Sequence, residues 1–308
     1  MNDRRRIDRL ECPARRMKRR AARKEARVQS IKLNNGVEMP LVGFGTWDVR
    51  GEEGERILLD AIDEGYRLID TARMYDNEEI VGNALRRSGA DRSEMFVTTK
   101  LNRPCASYEK AKAGVERALE LLQTDYVDLL LIHEPYEQAA EMYLALEEAL
   151  RDGKARAIGV SNFDERRYDA LVRECSVVPA VNQVESHVYF SQMGLRGHLG
   201  AHGTRMQAWG SFTEGRRDIF ADPVLSRIGA GHGKTAGQVA LRYLVQNGIG
   251  VIPKTARRER MRENRDVFDF ELSADEMADI ASLDGGKSLF GWYQAKRKAT
   301  TTNRRHRT

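Results

Sequence analysis

The feature that most constrains the fold is an alternation, repeated eight times, between a short apolar run and a longer stretch whose apolar residues recur at helical spacing. The short runs fall at residues 41–45, 66–70, 96–100, 127–133, 157–161, 180–184, 206–209 and 250–252. Helix-like segments follow at 52–64, 77–88, 106–122, 138–151, 165–173, 192–201, 236–246 and 258–264. In the first of these Ile57, Leu58, Ala61 and Ile62 share one face; in the second Ile80, Val81, Ala84 and Leu85 do. Runs such as Leu129-Leu130-Leu131-Ile132 are continuously apolar, as expected of strands covered on both faces. Eight units of this kind predict an α/β fold, a (β/α)8 TIM barrel. A doubly wound sheet usually uses fewer strands per domain.

The barrel has predicted additions at both ends. Ile31-Lys32-Leu33, the turn pair Asn35-Gly36 and Val37-Glu38-Met39 predict an N-terminal β-hairpin. Ser273-Ala274-Asp275-Glu276 reads as a capping box opening a last helix, with Met277, Ile280, Ala281 and Leu283 packed outside the barrel. The following aromatics, Phe290, Trp292 and Tyr293, are placed over the rim. The barrel is expected to occupy residues 30–293, between a basic arm (1–29) and a basic tail (294–308), both without stable structure.

Charge supports that division. The chain's net charge of +5 invites a nucleic-acid partner, but residues 1–30 carry 12 Lys/Arg against 4 Asp/Glu and residues 294–308 carry 6 against none. The remaining body holds 33 basic and 42 acidic residues and is therefore acidic. The arm lacks interleaved aromatics or a reading motif, so nucleic acid is not the expected partner. Cys12, Cys105 and Cys175 have no paired spacing, which argues against a disulfide framework. No apolar run approaches the length of a membrane span, and no secretory signal opens the chain. The expectation is a soluble, cytoplasmic monomer.

Several cofactor and metal motifs fail on inspection. Gly43 and Gly45 are followed by Asp48 where a dinucleotide fingerprint needs a third glycine. Gly233-Lys234-Thr235 and Gly286-Lys287-Ser288 mimic the end of a phosphate loop, but Ile228 and Ala281 stand where its first glycine belongs. His187, His198, His202 and His232 are read as separate segments without metal-ligand spacing, so no metal is expected.

What remains is a set of ionisable groups at predicted strand ends. The segment 66–70 closes on Asp70, with Tyr75 five residues on; 96–100 closes on Lys100; 127–133 closes on His133. In a parallel barrel these ends share one rim. An ammonium beside a phenol favours the phenolate and lowers its pKa, and a carboxylate holds that ammonium in place. A neutral histidine can orient a carbonyl by hydrogen bonding. The four together suit protonation of an oxygen that is becoming an alkoxide, with hydride supplied by a nicotinamide cofactor.

These residues and several longer segments resemble the aldo-keto reductase superfamily, and within it the bacterial 2,5-diketo-D-gluconate reductase-like branch. The segments are Gly43-Phe44-Gly45-Thr46-Trp47, Gly65 to Ala72 with Tyr75-Asp76-Asn77-Glu78, Thr99-Lys100-Leu101, Gly159-Val160-Ser161-Asn162-Phe163, Pro179 to Glu185 and Ile252-Pro253-Lys254. The resemblance implies a catalytic tetrad of Tyr75 (general acid), Lys100 and Asp70 (tuning it) and His133 (orienting the carbonyl). It implies NADPH/NADP+ as cofactor. Ser161, Asn162 and Gln183 are expected at the carboxamide, Trp209 on the nicotinamide ring, and Gly45, Thr46 and Gly210 elsewhere along the cofactor. Lys254, Thr255 and Arg260 are expected at the adenosine 2′-phosphate, and Glu263 and Asn264 at the adenine.

Two departures from the family pattern stand out. His133-Glu134-Pro135 puts a carboxylate where many relatives have tryptophan, and Trp209-Gly210-Ser211-Phe212-Thr213-Glu214 replaces the usual proline-containing loop. Trp47, Glu134 and Trp292 are the expected substrate-pocket residues. The function these observations predict is NADPH-dependent reduction of aldehydes and ketones, such as dicarbonyls and keto-sugars. The alternative is an NADPH-sensing regulatory protein on the same fold.

Overall fold

Each long apolar run becomes a strand of one parallel sheet, for the reason its composition suggested: both faces are covered. In the computed structural model, which describes residues 28–291, a hairpin of β1 (Ser30–Lys32) and β2 (Glu38–Pro40) precedes β3 (Phe44–Gly45). There follow α1 (Gly51–Asp63), β4 (Leu68–Asp70), α2 (Glu78–Ser88), β5 (Phe96–Leu101), α3 (Tyr108–Leu122), β6 (Leu129–Ile132), α4 (Ala139–Arg151) and β7 (Ile158–Ser161). The second half holds α5 (Glu165–Val172), β8 (Val181–Glu185), α6 (Met193–Ala201), β9 (Arg205–Trp209), α7 (Pro223–His232), α8 (Ala236–Gln246), β10 (Gly250–Val251), α9 (Arg258–Arg265) and α10 (Ala274–Ala281). The arm through residue 27, Trp292, Tyr293 and the tail lie outside the described residues.

Strands β3 to β10 pair in parallel, each with its neighbour in the chain. The two edges of the sheet then meet. Val42 bridges Val251, the Gly43 amide donates to the Val251 carbonyl at 2.8 Å, and the Val251 amide donates to the Leu41 carbonyl at 2.7 Å. That seam turns the sheet into a barrel without free edges.

Two apolar layers hold it together. The larger lies between strands and helices and includes Ile57, Leu58, Ala61, Ile62, Val81 and Ala84 from the predicted helix faces. The smaller lies inside the barrel near the strand starts, where Leu68, Phe96, Leu129 and Val181 meet Leu33 and Met39 of the hairpin. The hairpin therefore plugs the N-terminal mouth and leaves the C-terminal rim for chemistry. Gly36, at φ +89°, makes the hairpin turn in a conformation that favours glycine.

One helix departs from expectation. The sequence pattern offers no helix between the run ending at 209 and the helix starting at 236, yet Pro223–His232 is helical, capped by Asp222 Oδ1, which accepts from the Val224 and Leu225 amides at 3.0 and 3.2 Å. Its glycines at 229 and 231 lower helix propensity and mask the pattern. Gly229 is there for packing, since a Cβ would stand 2.4 Å from the Lys234 carbonyl oxygen. The predicted capping box holds: Ser273 Oγ accepts from the Glu276 amide and Glu276 Oε2 from the Ser273 amide.

Candidate active site

The rim brings together the four groups that the sequence distributes over three β/α units. Asp70 is the last residue of β4. Lys100 stands one residue before the end of β5, and His133 one residue beyond β6, so the shared rim is slightly staggered. Tyr75 is carried on a 3₁₀ turn, Arg73–Tyr75, directly after β4.

Lys100 is fully buried, and its Nζ is the hub. It donates to Asp70 Oδ1 at 2.5 Å, to the Thr71 carbonyl at 2.9 Å and to the Tyr75 hydroxyl at 3.3 Å. Asp70 Oδ2 accepts from Gln183 Nε2 at 2.7 Å, so both carboxylate oxygens are engaged. A buried ion pair this well surrounded keeps its charges, whereas removing one partner typically costs about 3–5 kcal/mol. The Tyr75 ring is half-buried and stands edge-on to His133 at 5.6 Å and to Trp47 at 5.0 Å between centroids. The turn beneath it is tied to β5: Arg73 Nη1 donates to Glu78 Oε2 at 2.7 Å, and Glu78 Oε1 accepts from Thr99 Oγ1 at 2.5 Å.

The electrostatics differ from the sequence-based expectation in one respect. Burial pushes the Tyr75 phenol above its ordinary value, and the Lys100 ammonium pulls against that rise without cancelling it. The sequence argument saw the ammonium and not the burial. The phenol is therefore held as a protonated donor. Burial likewise raises Asp70, opposed by Lys100. Burial works against the charged form of Lys100, but Asp70 and Tyr75 more than offset it and raise its pKa. Burial, helped by the Lys100 charge, drives His133 well below the ordinary histidine range, leaving a neutral imidazole.

Around this hub the expected cofactor residues fall into two groups. At the rim, Asn162, in left-handed backbone at φ +66°, links three elements. Its Nδ2 donates to the His133 carbonyl at 3.2 Å and to Glu134 Oε1 at 3.1 Å, and its Oδ1 accepts from Trp209 Nε1 at 2.8 Å. Ser161 Oγ donates to the Gln183 carbonyl at 2.8 Å. The Gln183 amide, expected at the carboxamide, donates to Gln207 Oε1 at 2.7 Å as well as to Asp70, and so also positions the carboxylate inside the barrel. Thr46 is buried, with its amide on the Asp70 carbonyl at 3.0 Å and its carbonyl accepting from Asn77 Nδ2 at 2.8 Å. Gly45 lies on the seam, where a Cβ would come within 2.6 Å of the Ile252 carbonyl oxygen. Gly210, at φ +66°, faces the Phe290 ring.

The second group surrounds the start of α9. Lys254 is exposed and Thr255 Oγ1 accepts from the Arg257 amide at 3.2 Å. No side chain caps the helix, whose first amides point at this corner. The arginines divide their labour: Arg258 binds Asp60, Asp63 and Glu64 and Arg262 binds Glu64, clamping α9 to α1. Arg260 is exposed, with its guanidinium 5.4 Å from the Phe220 ring centroid. An uncapped helix start flanked by an exposed lysine and arginine fits a phosphate dianion. Glu263 Oε1 accepts from Thr235 Oγ1 at 2.6 Å, and Asn264 is buried nearby.

Two contributors escaped the sequence reading. Asn77 staples the β3–α1 loop to the β4–α2 loop, accepting from Thr71 Oγ1 at 2.6 Å while donating to the Thr46 and Val49 carbonyls. Glu214, at φ +48°, is exposed, and its pKa is raised: partial desolvation of the carboxylate and the Glu185 charge raise it, while Arg216 and Lys254 pull it down. Phe290 does fold over the rim as expected, edge-on to Trp209 at 4.9 Å, anchored by Leu289 N and Ser288 Oγ donating to the buried Glu185.

Comparison with known proteins agrees with this geometry. Residues 41–285 match the Aldo/keto reductase family. Morphine 6-dehydrogenase from Pseudomonas putida is 45% identical over 270 residues, covering 83% of this chain and 91% of that protein. 2,5-Diketo-D-gluconic acid reductase B from a Corynebacterium species is 40% identical, covering 84% and 95%, in line with the branch expected from sequence. Among solved structures, an aldo-keto reductase (AKR2E5) complexed with NADPH superposes with a TM-score of 0.80 at 34% identity, covering 85% of this chain and 89% of that one. This chain belongs to the aldo/keto reductase family of oxidoreductases.

Proposed function

We propose that the protein is an NADPH-dependent reductase of aldehydes and ketones, dicarbonyls and keto-sugars among them, in which Tyr75 protonates the product oxygen. The observation that carries this reading is Lys100 Nζ seated between the Asp70 carboxylate and the Tyr75 hydroxyl. Hydride is the chemistry a bound nicotinamide supplies. His133, neutral, hydrogen-bonds the substrate carbonyl and presents its oxygen to the phenol. As the carbonyl carbon gains hydride, its oxygen gains negative charge and takes the Tyr75 proton. The phenolate left behind is stabilised by the Lys100 ammonium, which Asp70 and Gln183 hold in place, until solvent returns the proton.

Lys254, Thr255 and Arg260 at the uncapped start of α9 support a preference for the 2′-phosphorylated cofactor. Glu134, hydrogen-bonded to Asn162 next to His133, gives the rim a carboxylate and supports oxygenated rather than purely apolar substrates. Among the described residues no helix is long and apolar enough to cross a membrane. Cys105 and Cys175 are free thiols, which accords with a reducing compartment such as the cytoplasm. The test is cofactor consumption with methylglyoxal, phenylglyoxal and 2,5-diketogluconate, each with NADPH and NADH. Turnover of at least one carbonyl with clear NADPH preference is expected; tight NADPH binding without turnover of any carbonyl overturns the reading.

A further inference from the structure

On the outside of the barrel, two helices place three metal-ligating side chains together. His198 and His202, four residues apart, stand at the C-terminal end of α6, and Asp169 faces them from α5. The sequence reading treated these histidines as unrelated; in fact His198, in the last turn of α6, and His202, its C-cap, both come up to Asp169. His198 Nε2 lies 2.7 Å and His202 Nε2 4.0 Å from Asp169 Oδ1, and all three ligand atoms fit within 4.8 Å of one another. Ligands on a tetrahedral ion with bonds of ~2.0–2.1 Å stand about 3.3 Å apart, so the two separations to Asp169 change by less than about 1 Å and the histidine–histidine separation, at most 4.8 Å, closes by no more than about 1.5 Å. The floor is rigid. Tyr168 is fully buried, edge-on to both imidazoles at 6.1 and 5.5 Å, and its hydroxyl is bonded to Thr204 Oγ1 at 2.5 Å.

We propose that Asp169, His198 and His202 form a binding site for a divalent transition-metal ion, Zn²⁺ being the best match to two imidazoles and one carboxylate. The three side chains are partly exposed, which leaves a coordination position for water and a path for entry. Bound there, the ion clips α5 to α6, the helices that follow the strands carrying Ser161 and Gln183. The site is separate from the tetrad and takes no part in the chemistry proposed there.

The test uses the untagged full-length chain, free of other metals, with Zn²⁺ titrated against a chromogenic chelator and thermal unfolding followed in parallel. One Zn²⁺ per chain is expected, raising the unfolding midpoint by roughly 5 °C at a hundredfold excess over Kd. His198→Gln and His202→Gln should each weaken binding at least about tenfold and abolish the shift, since losing even an outer-shell partner of a ligand typically costs that much. His232→Gln, which removes an imidazole paired with Glu276 elsewhere, should retain both. Metal-free melting of each variant separates a lost ligand from a damaged fold. Equal Zn²⁺ binding by wild type, His198→Gln and His202→Gln, or no saturable binding by the wild type, overturns the proposal.

Discussion

A single imidazole shows how burial decides protonation at this rim. His133 is buried beside a permanent ammonium, and both effects disfavour its charged form. The native state thus refuses a proton that the unfolded chain accepts below about pH 6.5. Where the unfolded state binds more protons, stability rises with pH. His133 therefore contributes stability that is present above pH ~6.5 and is lost as pH falls below it, at up to about 1.4 kcal/mol per unit. His133→Asn should flatten that acid-side slope in urea unfolding measured from pH 5 to 7; an unchanged slope means the ring is not held neutral. Asp70, Lys100 and His133 were legible in the sequence because each ends an apolar run. The upward push on Tyr75 was not, because it comes from packing that no local segment encodes.

At the scale of elements, α9 divides its arginines between those paired with acidic residues and one that faces solvent. Arg258 and Arg262 are spent on Asp60, Asp63 and Glu64, the last of which is buried and cannot be left unpaired cheaply. Arg260 has no such duty. Arg260→Ala should weaken NADPH binding about tenfold or more, leave NADH nearly unchanged and hardly move the melting temperature. Arg258→Ala should do the reverse, lowering the melting temperature with the NADPH/NADH ratio preserved. Fluorescence titration with both cofactors and thermal melts separate the two. The sequence presents these arginines as one basic helix; only the packing of α9 against α1 tells them apart. Helix α7 was similarly hidden, although Asp222-Pro223 is a readable start signal. Its glycines outweighed that cue.

At the scale of the whole molecule, the barrel depends on one narrow seam between β3 and β10. Gly45 has backbone where a side chain would go: a Cβ would stand 2.6 Å from the Ile252 carbonyl oxygen. Gly45→Ala should therefore force β3 and β10 apart and cost about 1–3 kcal/mol in urea unfolding. An unaltered midpoint would show that the seam tolerates opening. The eight-unit rhythm was legible because each strand pairs with its sequence neighbour. Contacts spanning a hundred residues, such as Gln183 to Asp70 or Glu185 to Ser288, had no local signature.

The most direct measurement is single-turnover cofactor oxidation by Tyr75→Phe, with NADPH affinity measured on the same preparation. The phenylalanine ring keeps the contacts with Trp47 and His133 and removes the hydroxyl, which is both the proton donor and one of the three acceptors of Lys100 Nζ. A fall of at least about 100-fold in the rate of the chemical step, with cofactor affinity within about twofold of wild type, is the predicted result. A rate within a few fold of wild type would contradict the assignment of Tyr75 as the acid.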